Sequence, residues 1–277
     1  MSPGNPLKRA LIGQVRAVFN DQARGETPVV RRPDGLFGPQ SVVWRVHGDL
    51  ITMMVGGVTA LLLQMLHPAV LAGVWDHSTF RSDMLGRLRR TARFIAVTGY
   101  DSREAAGAAI AKVREVHTRV HGVLPDGTPY KADDPRLLAW VHVTEAIAFL
   151  GAWIRYAEPG MSLADQDRYF AEFAIIAEAL GADPIPRTRA EAEALIAEMR
   201  ADLFSDARTR EVARMVLTQP APSLVVKPFQ ALTFQAAVDL LPDWARDMHG
   251  LSGPGLATPA IRVGTRSIAA TMRWAFG

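Results

Sequence analysis

The stretch from Leu50 to Trp75 contains no charged side chain, although charged residues make up 21% of the chain. An apolar run of roughly 18 residues or more is long enough to cross a bilayer as one helix. Gln64, His67 and Pro68 lie inside the stretch, which is unusual for a simple membrane span. The pair Gly56–Gly57 and the His67–Pro68 step predict kinks or breaks in the helix. These interruptions favour a buried segment over a straight span.

The stretch is therefore predicted to form one helix to about Leu66 and a shorter helix beyond Pro68. We expect it to be the buried wall of a ligand pocket, with no transmembrane span and with peripheral membrane contact left open. Leu61, Leu62, Met65 and Leu66 are predicted core residues.

The composition excludes several kinds of metal centre. The 277 residues include no Cys, so disulfides, Cys-ligated zinc, iron–sulfur clusters, thiolate-ligated haem and covalent c-type haem are all excluded. A formal charge of +3, with Arg scattered through acidic helices, gives little support to nucleic-acid binding. Arg16 interrupts the apolar part of the N-terminus, so no signal peptide is predicted and we expect a cytoplasmic protein.

Helical periodicity extends through most of the chain. An N-terminal helix (Leu7–Phe19) and an arm are predicted for residues 1–40, followed by one helical domain over residues 41–277. The only short strand-like run is Ser223–Val226. The sequence predicts an all-α domain with helices over Phe80–Val97, Asp101–His121, Arg136–Tyr156, Ser162–Leu180, Thr188–Leu203, Arg208–Leu217, Phe229–Leu241 and Ile261–Phe276.

His117 shares one face of its predicted helix with apolar residues. Ala106, Ile110 and Val113 precede it at helical spacing, so its imidazole points with the aliphatic stripe. One interpretation is a core histidine hydrogen-bonded to a neighbour. The other is a metal ligand, because a neutral imidazole in an apolar pocket suits a haem iron.

His117 and His121 are four residues apart and would form a zinc-chelating pair on a helix. No H-E-x-x-H motif accompanies them, and no Glu-x-x-His occurs anywhere in the chain, which argues against a di-iron bundle. Haem is therefore the metal cofactor best suited to this Cys-free helical chain. A non-haem site of His117, His121 and His142 remains as an alternative.

Arg87, Arg90 and Thr91 lie side by side on their predicted helix. The basic pair is either a solvated face or a cluster that binds carboxylates, such as haem propionates or an acidic substrate. Thr91 would present a hydroxyl to a bound ligand. His67 and His142 are further interior candidates for cofactor contact, although each is also a typical core residue. His47 and His77 are expected to cap elements or position loops.

Four blocks in order resemble the catalytic domain of the MpaB-type and rubber oxygenase (latex-clearing protein) family. They are LLLQMLHPAVLAGVWDHSTF, GRLRRTARF, VREVHTRVHG and LLAWVHVTEA, within about residues 40–160. The resemblance implies a haem b protein with a globin-like helical core that uses dioxygen to cleave isoprenoid double bonds. It implies that His117 matches the proximal iron ligand, and that Arg87 and Thr91 match polar residues lining the haem site.

The chain departs from the family in three ways. Arg90 stands where some rubber oxygenases have Lys, and His121 stands where the family commonly has Arg. The acidic residue that acts as a base in rubber oxygenases has no counterpart in the uncharged Leu50–Trp75 stretch.

The sequence thus predicts a haem b-dependent oxygenase that acts with dioxygen on a small hydrophobic substrate. Arg87, Arg90 and Thr91 are the predicted catalytic side chains and His117 the predicted iron ligand. His121, His67 and His142 are predicted to contact the cofactor. A haem or hydrophobic-ligand binding protein without turnover is the second hypothesis.

Overall fold

The computed structural model describes residues 8, 9, 13, 25–224 and 226–276. Within 25–224 and 226–276 the chain forms twelve α-helices and one small antiparallel sheet, which confirms the all-α prediction. The helices are α1 (Val42–His47), α2 (Leu50–Gln64), α3 (Pro68–His77), α4 (Met84–Tyr100), α5 (Arg103–His117), α6 (Pro135–Tyr156), α7 (Leu163–Leu180), α8 (Arg189–Met199), α9 (Ala207–Leu217), α10 (Lys227–Leu240), α11 (Asp243–His249) and α12 (Thr258–Phe276). The strands are β1 (His121–Val123) and β2 (Pro129–Lys131).

Helices α2 and α6 form the most extensive helix pair and the centre of the fold. Each is almost wholly apolar, so each must bury most of its surface against other elements. The largest core cluster joins α6 to α1, α7 and α8, with Trp140, Phe149, Tyr169 and Phe170 at most 1% exposed. Smaller clusters pack α2 against α9, α10, α11 and α12.

The apolar Leu50–Trp75 stretch is two helices joined at a sharp bend. α2 ends at Gln64 and α3 begins at Pro68, and their axes differ by 104°. This confirms the predicted break at Pro68. Leu62, Met65 and Leu66 are buried as predicted, whereas Leu61 is only partly buried.

The predicted break at Gly56–Gly57 is wrong, because α2 continues through both residues. Gly56 instead permits close packing of α2 on α6. A Cβ added to Gly56 would lie 2.9 Å from the carbonyl oxygen of Ala148 and 2.9 Å from Cα of Phe149. A Cβ on Gly57 would come no closer than 3.7 Å to Phe149.

The predicted helix Asp101–His121 is wrong at its C-terminal end. α5 ends at His117, and His121 begins a strand that pairs with Lys131 across a hairpin. Gly127, with φ of 90°, adopts the left-handed conformation in the connecting turn. His117 and His121 are therefore not an i, i+4 pair on a helix.

Other element ends differ by a few residues. α4 begins at Met84 rather than Phe80, since Asp83 caps it, and α5 is capped by Ser102 rather than Asp101. Ser223–Val226 lies in a turn as far as it is described, and α1 and α11 were not predicted. The predicted helix Leu7–Phe19 lies almost entirely outside the described residues.

The predicted end of α7 at Leu180 and the predicted start of α8 at Thr188 are confirmed by the caps found there. Gly181 ends α7 with φ of 93°, and Thr188 and Glu191 form a capping box at the start of α8.

One described helix, α6, is long and apolar enough to cross a membrane, and 67% of its apolar window is buried inside the protein. The pair α2 and α3 meets the same criterion only if its bend of 104° is ignored. Length and composition alone do not distinguish such helices from the core helices of a compact domain.

Candidate active site

Arg87 lies one turn into α4, where Asp83 caps the helix by accepting a hydrogen bond from the Gly86 N–H at 2.8 Å. Its guanidinium is half-buried and donates from Nη1 to Ser78 Oγ at 3.1 Å. Burial, with a smaller effect of the Arg90 charge, lowers the pKa of Arg87 to about 10. No carboxylate among the described residues forms an ion pair with it. A partly desolvated cation of this kind favours an anionic ligand.

Arg90 and Thr91 follow on the same helix but are exposed. Arg90 forms an ion pair with Asp83 at 3.4 Å and donates to Thr79 Oγ1 at 3.4 Å. The structure therefore brings both arginines to the loop that precedes α4. It leaves the Thr91 side chain at the surface.

The apolar face of α4 is only partly covered. Leu85, Leu88, Ala92 and Ile95 share one face of α4 and are all half-buried. The inward face of α6 is instead almost completely buried, as at Trp140. α4 thus retains accessible apolar surface beside Arg87.

Two cavities meet at the start of α4. The inner one, about 10 Å³, is lined by apolar side chains of α2, α3 and α9 together with Arg87. The outer one is an open cleft of about 380 Å³ between the residue 80–85 segment and the C-terminal end of α9. Phe80 and Met84 line both cavities and therefore separate the cleft from Arg87. His117 lines neither cavity.

His117 is the last residue of α5 and is half-buried. Burial lowers the pKa of His117, against a smaller opposing effect of Asp133, and so favours the neutral imidazole. Within the part of the chain that the structure describes, no group hydrogen-bonds to this ring. The core-histidine interpretation required such a bond, whereas a free nitrogen is what a metal ligand needs. His121 is exposed on β1.

Three consecutive residues, the last residue of α3 and the first two after it, contact the candidate residues or the hairpin. His77 Nε2 lies 3.1 Å from the carbonyl oxygen of His121, and Ser78 and Thr79 accept from Arg87 and Arg90. His77 therefore positions a loop, as predicted. Ser78 and Thr79 were not predicted as site residues, although a polar segment between two apolar helices is a typical place for them.

The other histidines have structural surroundings. His67 caps α3, accepting from the Ala69 N–H at 3.3 Å. His47 was expected to cap or position a loop, but it is buried and 2.9 Å from the hydroxyl of Tyr169. Burial lowers its pKa to about 3. These contacts account for both side chains without a cofactor.

His142 differs because its buried Nε2 has no hydrogen-bond partner among the described residues. Its ring packs on Phe173 at 4.8 Å, and burial lowers its pKa to about 4. His142 is thus a second uncommitted imidazole. Across the described residues, no three His, Asp or Glu side chains converge as a metal site. A non-haem site of His117, His121 and His142 is therefore not assembled.

Glu145, one turn after His142 on α6, was not singled out from the sequence. It is half-buried and accepts a hydrogen bond from Gln64 Nε2 at 3.4 Å. Burial raises its pKa to about 7, with the Gln64 bond opposing. A lone carboxylate inside LLAWVHVTEAIAFL was the available signal.

Residues 44–274 match the family model described as ER-bound oxygenase mpaB/B'/rubber oxygenase, catalytic domain. The chain belongs to this family. The match includes α3, α4 and α5, and therefore Arg87, Arg90 and His117. It confirms the resemblance predicted from four sequence blocks. No curated protein and no solved structure matches the chain. The family model therefore assigns the chain to a family of oxygenases. The arrangement of the candidate site is seen in the structure alone.

Proposed function

We propose that this oxygenase domain is haem b-dependent and acts on a small hydrophobic substrate with dioxygen. The observation that carries the proposal is Arg87, a half-buried guanidinium that no described carboxylate neutralises. Haem b offers two propionates for such a cation and a large apolar ring for the accessible face of α4. His117, neutral and without a hydrogen bond, has the free nitrogen that iron requires.

In this proposal each residue has a distinct role. His117 would hold the iron, Arg87 would bind a propionate, and the apolar side chains of α4 would cover the ring. The bound haem would supply dioxygen activation, while Phe80 and Met84 would limit access from the outer cleft. Oxidative cleavage of a C=C bond is the reaction that the family resemblance suggests.

Replacing His117 with Ala is expected to remove the sharp Soret band that hemin would acquire on binding to the protein, because the iron would lose the residue that would hold it. The measurement is a hemin titration followed by ultraviolet–visible spectroscopy, with circular dichroism to verify folding. His121→Ala is the matched control and should retain the band, since His121 is exposed on β1.

His142→Gln tests the rival ligand, because His142 also has an uncommitted nitrogen. If folded His142→Gln protein loses the band and His117→Ala protein retains it, the iron ligand is His142 and not His117. A wild-type protein that takes up no hemin would refute the haem proposal.

A binding protein without turnover is the second candidate function, since the tight inner cavity of about 10 Å³ leaves little room for substrate. Oxygen consumption by the hemin-loaded protein separates the two. Oxygen consumption that depends on an added isoprenoid alkene supports the oxygenase. Hemin binding without oxygen consumption across a series of apolar alkenes supports the binding protein.

A further inference from the structure

The segment His77–Thr79 connects the two sides of the candidate site. On one side, His77 Nε2 lies 3.1 Å from the His121 carbonyl oxygen, in the hairpin that follows His117. On the other side, Ser78 Oγ accepts from Arg87 at 3.1 Å and Thr79 Oγ1 accepts from Arg90 at 3.4 Å. Three neighbouring side chains thus reach both the hairpin and α4.

This segment is itself held firmly. The Ser78 N–H donates to the Val74 carbonyl at the end of α3, and the Asp83 N–H donates to the Thr79 carbonyl at 2.7 Å. The Phe80 N–H donates to Ser78 Oγ at 3.3 Å, and the Phe80 side chain is 1% exposed. Ser78 Oγ is therefore a fixed acceptor rather than a mobile surface hydroxyl.

We propose that His77 and Ser78 are positioning residues for the cofactor site, Ser78 by directing Arg87 and His77 by fixing the hairpin that follows His117. The inference rests on the proposed function, because it assumes that Arg87 and His117 border the bound haem. It adds Ser78, to which no role has been assigned, and it connects the loop contact of His77 to the cofactor site.

Ser78 matters because Arg87 has little else to hold it. The Ser78 bond is the only hydrogen bond of the Arg87 guanidinium to the described residues. A long, flexible side chain that is not directed must be ordered by the ligand itself, and that ordering weakens binding.

The test compares hemin with hemin dimethyl ester, in which the propionates carry no charge. Ser78→Ala is expected to weaken hemin binding roughly tenfold, the usual effect of losing a hydrogen bond to a charged group. It should leave binding of the dimethyl ester unchanged. Ser78→Thr retains the hydroxyl and should restore hemin affinity.

Ser82→Ala is the matched control. Ser82 Oγ donates to the Thr79 carbonyl in the same loop and contacts neither arginine, so this variant should bind both porphyrins like the wild type. A Ser78→Ala protein with wild-type hemin affinity would overturn the inference for Ser78. An equal loss for hemin and its ester would also overturn it, because the effect would then not involve Arg87.

His77→Phe tests the contact between His77 and the hairpin that follows His117. The variant keeps an aromatic ring beside that of Tyr130, whose centroid lies 6.5 Å from that of His77. Loss of the bond to His121 should change the electron paramagnetic resonance spectrum of the ferric haem without changing the ratio of hemin to ester affinity. An unchanged spectrum would refute the role of His77. Failure of the wild-type protein to bind hemin at all would instead count against the proposed function.

Discussion

Gly56→Ala is expected to destabilise the protein by about 3 kcal/mol relative to Gly57→Ala, although the two glycines are adjacent in α2. At Gly56 an added Cβ would lie 2.8 Å from Cδ1 of Phe149 and 2.9 Å from the Ala148 carbonyl oxygen. The second contact is with the backbone of α6, so relief requires the central helix pair to separate. Overpacking of this kind usually costs about 1 to 3 kcal/mol.

At Gly57 the nearest atom to an added Cβ is 3.7 Å away, which is an ordinary van der Waals contact. Ala also favours the helix over Gly by roughly 1 kcal/mol, so Gly57→Ala should be neutral or slightly stabilising. Urea unfolding of both variants measures the difference. Equal stabilities would show that α2 and α6 do not approach closely at Gly56.

The same glycine pair shows where sequence reasoning is limited. A glycine in an apolar helix either breaks the helix or permits close packing, and the choice depends on a partner helix distant in the chain. The Pro68 break was predicted correctly because a proline removes a backbone donor whatever its surroundings. The end of α7 at Leu180 and the start of α8 at Thr188 were also predicted, since capping depends on residues a few positions apart.

The hairpin after His117 was missed for a related reason. Val120 and His121 continue the apolar spacing of α5, so the periodicity alone extends the helix to His121. The structure ends it earlier because β1 pairs with β2 across the turn at Gly127. That pairing depends on β2, whose residues lie outside the segment in which the helical periodicity is found.

In the candidate site, Arg87 and His117 were identified from their chemistry and from the faces of their helices. Ser78 was not, because a serine hydroxyl has a role only where the fold brings it to a charged group. Glu145 was also missed, although a lone carboxylate in an apolar helix is visible in the sequence itself. Its burial and its hydrogen bond from Gln64 are visible only in the structure.

Glu145→Gln is expected to change the pH dependence of stability by up to about 3 kcal/mol between pH 5 and pH 8. Burial raises the pKa of Glu145 from an ordinary 4.5 to about 7, so the folded protein binds the Glu145 proton more tightly than the unfolded chain. Stability therefore falls as the pH rises from 4.5 towards 7 and is constant above that range. Glutamine carries no proton to lose and should remove this decrease.

The relevant quantity is the difference in unfolding free energy between variant and wild type, measured in urea at each pH, because unrelated titrations then cancel. The ionisable neighbours do not titrate in this window: burial lowers the pKa of His47 to about 3 and of His142 to about 4, and raises that of Tyr169 well above 10. A difference that does not change with pH would mean that Glu145 ionises in the folded protein as it does in the unfolded chain.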